Sequence, residues 1–395
     1  MKRIALVCPR YGTEVTGSDA RYVRQLAEQL IKRYEVEVLT TKALDDKTWR
    51  NWYARDNEYV KGVRVRRFNT EHEKASNIDS YAKTYIEECQ NDKRSMGVEK
   101  IWIEKYGPFA PNCIRYIIQH RQEFDAIIFI GYMNYLTVAG MPEAAEKAIL
   151  IPLIKEESPY FQFITFQQMF RMPRGFVFIT DEERMLVRRA FRTQGIPCEV
   201  IGTGADIPDF VDETAFYHKY NIRNRYIIYC GRIDEEKQCP ELVHYFLEYK
   251  KRNPHESIKL LLMGEVCCSL PESSDIILTG FVSEKDKFSG ISGSEILVIP
   301  SKQESIPEVL ISAMAMGVPV LVNGSCETLR EHCRQSNSGL YYEDFYEFEG
   351  TLNRMLGSPK LCSAMSKNAF IYAQQNYKWE TVIDRFIQLI NKAVD

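Results

Sequence analysis

The chain has 395 residues, a length that favours two domains over one. Hydrophobic residues make up 45% of it and charged residues 27%, which is typical of an ordinary globular protein. The formal net charge of −3 excludes the basic field that nucleic-acid binding requires, so no nucleic acid partner is expected. No run approaches the roughly 18 apolar residues of a membrane span. The first apolar run is short and polar residues follow it, which favours a strand over a signal peptide and predicts a cytoplasmic protein with reduced cysteines.

Short apolar runs alternate with helical patterns in the first half of the chain. A helix is predicted over residues 20–33, directly after the first strand. Residues 43–119 have many Tyr, Trp and charged residues but weak periodicity, and apart from one strand no element is assigned to them. The predicted strands are 3–8, 35–40, 63–68, 125–131, 148–153, 175–179 and 198–201.

The same alternation starts again at residue 226, after a segment over 205–225 that we interpret as a linker. Strands alternating with helices predict an α/β fold whose parallel sheets are covered on both faces. In such sheets ligands bind beyond the carboxyl ends of the strands, where helix N-termini direct their N–H groups. The predicted strands of this half are 226–230, 258–263, 276–278, 295–300 and 318–322.

The loop after strand 226–230 carries two cations. Gly231 lets the backbone approach a ligand, and Arg232 and Lys237 bracket the turn into the next helix. Two cations beside a helix N-terminus suit a diphosphate group. An ordinary basic surface loop is an equally good interpretation of this segment by itself.

The loop after strand 295–300 carries a carboxylate, Glu304, at the carboxyl end of the strand. The backbone amides of residues 306–308 open the helix that follows it, which is predicted over 310–316. A carboxylate suits a sugar diol because it accepts two hydrogen bonds. A helix cap or a solvated loop is the alternative role for Glu304.

The first loop, residues 9–19, contains Gly12 and Gly17 before a helix, so it has the means to bring backbone amides to a phosphate. Residues 202–204 also follow a strand but lack the third glycine of the dinucleotide fingerprint, so no NAD site is predicted. None of the six histidines directly follows a predicted strand, and the eleven cysteines lack the spacing of a zinc site.

Taken together, these segments resemble the GT-B glycosyltransferases of family 4, the retaining glycosyl transferases group 1. The resemblance rests on GSDARYVRQLAEQLIKRYEVEVLT near the N-terminus, on YCGRIDEEKQ and on SKQESIPEVLISAMAMGVPVLVN. It implies two Rossmann-like domains with parallel sheets facing a central cleft. The implied boundaries are 1–204 for the acceptor-side domain, 205–376 for the nucleotide-sugar-binding domain and 377–395 for a helix that crosses back.

The resemblance implies a retaining glycosyltransferase that moves a sugar from a nucleotide-diphosphosugar donor to a glycan or lipid-linked acceptor in surface polysaccharide biosynthesis. The donor is a substrate, and neither a cofactor nor a metal is implied. Arg232 and Lys237 are expected to neutralise the leaving diphosphate, and Glu304 to bind hydroxyl groups of the transferred sugar. Gly17 and Gly231 are expected near the phosphates. Ser305, Ile306, Pro307 and Glu308 are expected to bind the donor, with backbone N–H groups from the residues of this turn other than the proline.

The sequence departs from the family pattern at two positions. Ser312 stands eight residues after Glu304, where the family has a second glutamate that binds the ribose diol. Lys155 stands where the first domain normally has a catalytic histidine, and we expect it to contact the donor or the acceptor. A solvated loop lysine is the alternative for that position.

These departures keep a second class of function open, a catalytically inactive GT-B homologue that acts as partner or scaffold of an active glycosyltransferase. A GT-B sugar-nucleotide epimerase is a third class, although the carboxylates and histidine that it needs are not found in the expected loops. Hydrolysis of a nucleotide-sugar without acceptor separates the first class from the second, and release of a free epimer identifies the third.

A membrane surface is a further expected partner. A helix predicted over 181–192 places Arg184, Arg188 and Arg192 on one face. Each cation near an anionic leaflet contributes about 1 kcal/mol to binding, so this face predicts reversible peripheral docking at the inner side of a membrane. A solvated face whose arginines pair with neighbouring carboxylates is the alternative.

Overall fold

The computed structural model of the chain describes residues 2–90, 94–154, 156–205, 208, 210–304 and 308–394, and the backbone alone for residues 88–90. The chain divides into two compact units. The N-terminal unit comprises Met1–Thr203 and Val382–Asp395, and the C-terminal unit comprises Gly204–Thr381.

The N-terminal unit is built on an eight-stranded sheet of order β3-β4-β2-β1-β5-β6-β7-β8. All neighbouring strands pair in parallel except β3 and β4, which are antiparallel. The strands are β1 (Arg3–Val7), β2 (Glu35–Thr41), β3 (Asn57–Val60), β4 (Val63–Phe68), β5 (Ala126–Ile130), β6 (Ala148–Ile151), β7 (Gly175–Phe178) and β8 (Cys198–Val200).

Helices in the described residues lie between the strands of this sheet or after them. They are α1 (Ser18–Leu30), α2 (Ile78–Gln90), α3 (Met96–Tyr106), α4 (Pro111–His120), α5 (Tyr135–Gly140), α6 (Ile164–Met169) and α7 (Asp181–Phe191). Segment 43–119, largely unassigned from sequence, therefore contains β3 and β4 and the three helices α2, α3 and α4. Its aromatic residues are core residues in part, because Trp102 and Tyr85 are buried in the main cluster of the unit.

The C-terminal unit contains a six-stranded, wholly parallel sheet of order β11-β10-β9-β12-β13-β14. Its strands are β9 (Tyr226–Cys230), β10 (Lys259–Met263), β11 (Ile276–Gly280), β12 (Ile296–Ile299), β13 (Val320–Asn323) and β14 (Gly339–Tyr342). Its helices are α8 (Glu213–Lys219), α9 (Cys239–Arg252), α10 (Glu284–Ser292), α11 (Glu308–Ala315), α12 (Glu327–Ser336), α13 (Phe345–Leu356) and α14 (Pro359–Asn376), and α15 (Trp379–Val394) returns to the N-terminal unit.

Helices cover both faces of the second sheet. Successive side chains of one strand therefore pack into hydrophobic clusters on opposite faces. On β9, Ile227 and Tyr229 pack into one hydrophobic cluster while Tyr226 and Ile228 pack into another. A strand that is buried on both faces reads as a continuous apolar run, which is why YIIYC was recognisable in the sequence. The predicted α/β class with two parallel sheets is confirmed.

Each sheet has one point at which the strand order reverses. In the N-terminal unit this switch point lies between β1 and β5, and in the C-terminal unit it lies between β9 and β12. Connections from the two strands at such a point leave towards opposite sides, which opens a crevice beyond their carboxyl ends. The loops after β1, β5, β9 and β12 are therefore the places where each unit offers a binding site.

A buried histidine makes the stability of the C-terminal unit depend on pH. His332 on α12 lies between two hydroxyl groups, with Nδ1 3.2 Å from Tyr372 Oη and 3.3 Å from Tyr377 Oη. Burial disfavours the charged imidazole and lowers the pKa of His332 to about 4, from an ordinary value of 6.5. Between these values the unfolded chain binds a proton that the folded chain does not, so stability is complete above pH 6.5 and decreases towards pH 4.

We expect His332→Asn, which keeps a polar atom near the position of Nδ1, to remove this part of the acid sensitivity. In the wild type, His332 lowers the free energy of unfolding by about 3 kcal/mol over the whole range between its two pKa values. Urea unfolding at pH 7 and at pH 4.5 measures the free energy of unfolding. Its decrease between the two pH values is expected to be smaller in the variant. Replacing the exposed His255 by Asn is the control and keeps the wild-type decrease. An equal decrease in His332→Asn would show that another group is responsible.

Candidate active site

The loop after β9 is held in a fixed shape by the loop after β10. Gly231 and Gly264 both adopt positive φ angles, 150° and 148°, which side chains rarely allow. A Cβ atom on Gly264 would lie 1.8 Å from the Gly231 carbonyl oxygen, so the two backbones are in direct contact. The Ile233 N–H donates to the Glu265 carbonyl at 2.9 Å, and the Cys267 N–H donates to the Ile233 carbonyl at 2.8 Å. Residues 231–233 are thus positioned by backbone contacts on one side.

Arg232 is half-exposed and pairs with two acidic side chains of its own loop. Its guanidinium contacts Asp234 and lies 2.6 Å from the Glu236 carboxylate. The hydrogen bond with Asp234 raises the pKa of Arg232 further, so this residue is a permanent cation. Asp234 also accepts the Lys237 backbone N–H at 2.8 Å, which shapes the turn before α9.

Lys237 and Glu304 meet although they belong to different loops. The Lys237 ammonium donates to Glu304 Oε1 at 2.7 Å. Lys237 follows β9 and Glu304 follows β12, and these two strands are neighbours across the switch point of the C-terminal sheet. The side chains are 29% and 18% exposed, so solvent and a ligand have access to both. Asn323, at the end of β13, donates to the Pro300 carbonyl at 3.1 Å and so fixes the start of the Glu304 loop.

Glu308 opens α11, and Ser312 lies one turn further along the same helix. Ser312 is buried and its hydroxyl donates to the Glu308 carbonyl at 2.9 Å. This is a bond within the helix, which serines in helix interiors commonly make. The predicted residues Lys155, Ser305, Ile306 and Pro307 lie outside the described residues.

The switch point of the N-terminal sheet has a small cavity of about 50 Å³. The first turn of α1 contributes to it, and Gly17 precedes this helix with a φ of 112° and no capping side chain. Arg10 is the cation of this cavity, and its guanidinium lies 3.4 Å from Asp46. The lining residues include Cys8, Arg10, Asp19, Gly131 and Leu153.

The carboxyl edge of the N-terminal sheet also carries residues that were hidden in the unassigned segment. Tyr53 packs on Gly12 of the first loop and stacks on Arg67 at 3.6 Å. Trp52 beside it is 55% exposed. His72 follows the end of β4 and stacks on Phe109. His72 lies four residues after predicted strand 63–68, and this position beyond a strand end was the sequence signal for it.

The arginines of α7 take part in several local contacts. Arg184 pairs with Asp181, Arg189 lies 2.9 Å from Glu157, and Arg188 contacts Cys198 Sγ at 3.2 Å. No helix in the described part of the chain is long and apolar enough to cross a membrane. Over the same residues, no group of three His, Cys, Asp or Glu side chains is placed to hold a metal ion.

Residues 224–358, which contain the loops after β9 and β12, match the sequence family described as Glycosyl transferases group 1. The chain is 24% identical over 197 residues to glycosyltransferase 1 domain-containing protein 1 of Xenopus tropicalis, a match that spans 47% of this chain and only 55% of that protein. It is 20% identical over 416 residues to an uncharacterized glycosyltransferase of Methanocaldococcus jannaschii, with 100% and 99% of the two chains covered.

Solved structures with the same architecture cover nearly the whole chain. Sucrose-phosphate synthase from Thermosynechococcus elongatus superposes with a TM-score of 0.67 at 17% identity, over 99% of both chains. HepE of Anabaena in complex with UDP and glucose gives 0.65 at 14% identity, over 99% and 100%. WaaG, a glycosyltransferase involved in lipopolysaccharide biosynthesis, gives 0.62 at 13% identity, over 98% and 99%. The chain therefore has the GT-B fold, as predicted, and these similarities together support a glycosyltransferase.

The contact between Gly231 and Gly264 leads to a prediction about stability. Gly264→Ala places a methyl group against the Gly231 carbonyl at an unfavourable φ, and we expect it to destabilise the protein by about 1–3 kcal/mol. Gly350→Ala is the control, because Gly350 lies inside α13 and a methyl group there meets no atom within 4 Å. Helix propensity predicts that this control is stabilised by about 0.5–1 kcal/mol. Thermal unfolding measures both, and equal stability of the two variants would contradict the close contact.

Proposed function

We propose that the chain is a retaining glycosyltransferase that moves a sugar from a nucleotide-diphosphosugar donor to a glycan or lipid-linked acceptor in surface polysaccharide biosynthesis. The observation that carries this proposal is the Lys237–Glu304 contact of 2.7 Å at the switch point of the C-terminal sheet. It brings a cation suited to a diphosphate next to a carboxylate suited to sugar hydroxyls. In the donor, the diphosphate and the sugar are likewise joined to each other.

The cations are available to a diphosphate at small cost. Arg232 and Lys237 face three carboxylates, Asp234, Glu236 and Glu304. Arg232 is 51% exposed, and an ion pair of this kind contributes about 0–1 kcal/mol to stability. A diphosphate that enters the crevice offers charged acceptor oxygens to the same guanidinium, so exchange of partners costs little.

Departure of the nucleoside diphosphate leaves negative charge on its terminal phosphate. Arg232 and Lys237 stabilise that charge as it develops, and stabilisation that strengthens in the transition state accelerates the reaction. The N–H groups at the start of α11 are further donors on this side of the sheet. Glu304, released from Lys237, accepts hydrogen bonds from the sugar hydroxyls and orients the anomeric carbon.

The similar structures support particular classes of nucleotide and acceptor. UDP is bound by HepE, and this supports a uridine nucleotide as the first donor class to test. The role of WaaG in lipopolysaccharide biosynthesis supports a glycan or lipid-linked acceptor, while sucrose-phosphate synthase represents transfer to a small sugar. Exposed Trp52 and His72 give the N-terminal unit polar and aromatic surface for an acceptor.

A catalytically inactive partner or scaffold protein is the second candidate function. One observation favours it: the Ser312 hydroxyl donates to the Glu308 carbonyl of its own helix, and this short side chain stands where the family has a ribose-binding glutamate. Lys237 and Glu304 favour an active enzyme, because a scaffold has no use for two accessible, oppositely charged groups at a switch point. Release of free sugar from UDP-sugars without acceptor distinguishes the two.

Peripheral membrane docking is a second, minor part of the same proposal. The partners of Arg184 and Arg189 reduce the net charge of the α7 face, so docking requires an anionic headgroup to compete with Asp181 and Glu157. Sedimentation with anionic liposomes at low salt tests it directly.

We expect Lys237→Ala to lower turnover of the donor about 10²- to 10³-fold, the usual effect of removing one donor to developing charge. Arg232→Ala is expected to act in the same direction. Lys302→Ala is the matched control, since Lys302 lies in the Glu304 loop but pairs with Glu241 on α9. Turnover is measured as nucleotide release from a panel of UDP-sugars, together with the melting temperature. Wild-type turnover in the Arg232, Lys237 double variant would refute the assignment of the diphosphate site.

A further inference from the structure

Among the described residues of the N-terminal unit, three carboxylates are buried, and two of them have evident structural partners. Glu37 on β2 lies 2.7 Å from Arg3 and 2.9 Å from Arg66, so its charge is neutralised. Glu99 on α3 accepts the backbone N–H groups of Ile164 and Thr165 at 2.9 and 2.7 Å and thereby caps α6. The third carboxylate, Glu183, is placed differently.

Glu183 connects the exits of two neighbouring strands. It lies in the first turn of α7 and is 4% exposed. Its carboxylate accepts the Ile154 N–H at 2.7 Å, in the loop after β6, and the Ile179 N–H at 2.8 Å, directly after β7. Both loops lie at the carboxyl edge of the sheet, where β6 and β7 pair in parallel. Among the residues that the structure describes, no lysine or arginine pairs with Glu183.

The residue next to this contact has an unusual backbone. Leu153 has a φ of 58°, in the left-handed region that a branched side chain rarely occupies. Such a conformation persists only where the surrounding structure enforces it, and it is common at functional sites. The Leu153 N–H also interacts with the Glu183 carboxylate, and Leu153 lines the cavity at the switch point of this sheet.

The buried environment of Glu183 disfavours a charged carboxylate. Burial outweighs the backbone N–H groups and raises the pKa of Glu183 to about 7. Among the described residues, Tyr22 on α1 also interacts with Glu183, and its buried hydroxyl finds no hydrogen-bond partner there. A buried carboxylate without a counter-ion opposes folding. What Glu183 adds to the structure is therefore the fixed position of the backbone N–H groups that it binds.

We propose that Glu183 is a positioning residue of the active site, which holds the loop after β6 in its left-handed turn and so shapes the wall of the cavity formed by Leu153. This inference rests on the proposed function, because a loop at the switch point matters for turnover only if the N-terminal unit takes part in the transfer. Glu183 acts through the backbone of Leu153 and Ile154 and does not itself contact the substrate.

Glu183→Gln tests the proposal, with Glu99→Gln as a matched control. Each substitution replaces a buried carboxylate that binds backbone N–H groups by an amide, whose NH2 group cannot accept a hydrogen bond. We expect both variants to melt at a lower temperature. Only Glu183→Gln is expected to lower kcat, by about 10- to 100-fold, because small displacements of a site loop have effects of this size. The KM for the donor, which depends on the C-terminal unit, is expected to change less than about threefold.

Hydrogen exchange supplies a readout that does not require activity. We expect the amides of Leu153, Ile154 and Ile179 to exchange faster in Glu183→Gln than in the wild type, and to be unchanged in Glu99→Gln. If Glu183→Gln does not fold, Glu183→Asp makes the same comparison with a shorter carboxylate. Unchanged exchange at these amides would overturn the proposal, and so would equal kcat values for the two glutamine variants. A wild type without turnover would refute the proposed function, while the exchange rates would still decide whether Glu183 holds this loop.

Discussion

The geometry of a parallel sheet is the constraint on which the rest of this structure depends. Each parallel strand needs a crossover connection that returns the chain to the starting edge, so all strand exits lie along one edge. Lys237 and Glu304 are 67 positions apart in the sequence. They meet because β12 pairs with β9, although β10 and β11 come between them in the chain. The N-terminal cavity has the same origin, since residues after β1 and after β5 line it together.

The ends of β9 and β10 show a second consequence of this geometry. Adjacent parallel strands leave the sheet side by side, so their loops compete for the same space. Glycine at positions 231 and 264 lets the two backbones touch, and the bridge between Ile233 and Val266 continues the pairing beyond the strands. The backbone that carries Arg232 is thereby fixed, while its side chain remains exposed. Rigid backbone with accessible charge is the combination that preorganised electrostatic stabilisation requires.

The strands buried on both faces gave the clearest sequence pattern, and the two strands that the sequence analysis missed, β3 and β14, both lie at sheet edges. The apolar runs of β1, β5, β9 and β12 stand out against their charged or glycine-bearing flanks. Strand β3, NEYV, lies at the edge of its sheet with intermediate or exposed residues, and β14, GLYY, is likewise an edge strand. β3 has no buried residue, and β14 is only four residues long and begins with glycine, so its inward residues Leu340 and Tyr342 are too few to form a clear pattern. The helices of segment 43–119 were missed because aromatic and charged residues mask their apolar stripe.

The same limit applies to the site, where sequence patterns identify loops but not the partners within them. Glycine and charge after β9 and β12 pointed to Arg232, Lys237 and Glu304, and the ion pair between the last two is a non-local contact that no spacing encodes. Glu183 was hidden for a different reason. It is the third acidic residue in a row at the start of a charged helix, DEERMLVRRAF, where a solvated role is the ordinary expectation. Only the fold shows that the helix turns this one carboxylate inward, towards amides from two other loops.

The two units stabilise their charged groups in different ways, and the difference follows from what each carboxylate contacts. Glu304 is paired with a partly exposed side-chain ammonium group, and another partner can replace it, so this contact is suited to a step in which a ligand binds and leaves. Glu183 is surrounded by backbone N–H groups, which cannot move without opening the loops that carry them. Breaking that contact leaves buried donors unsatisfied, a cost of about 1–3 kcal/mol for each. The first arrangement therefore provides exchangeable charge in the C-terminal unit, and the second fixes two loops at the carboxyl edge of the N-terminal sheet.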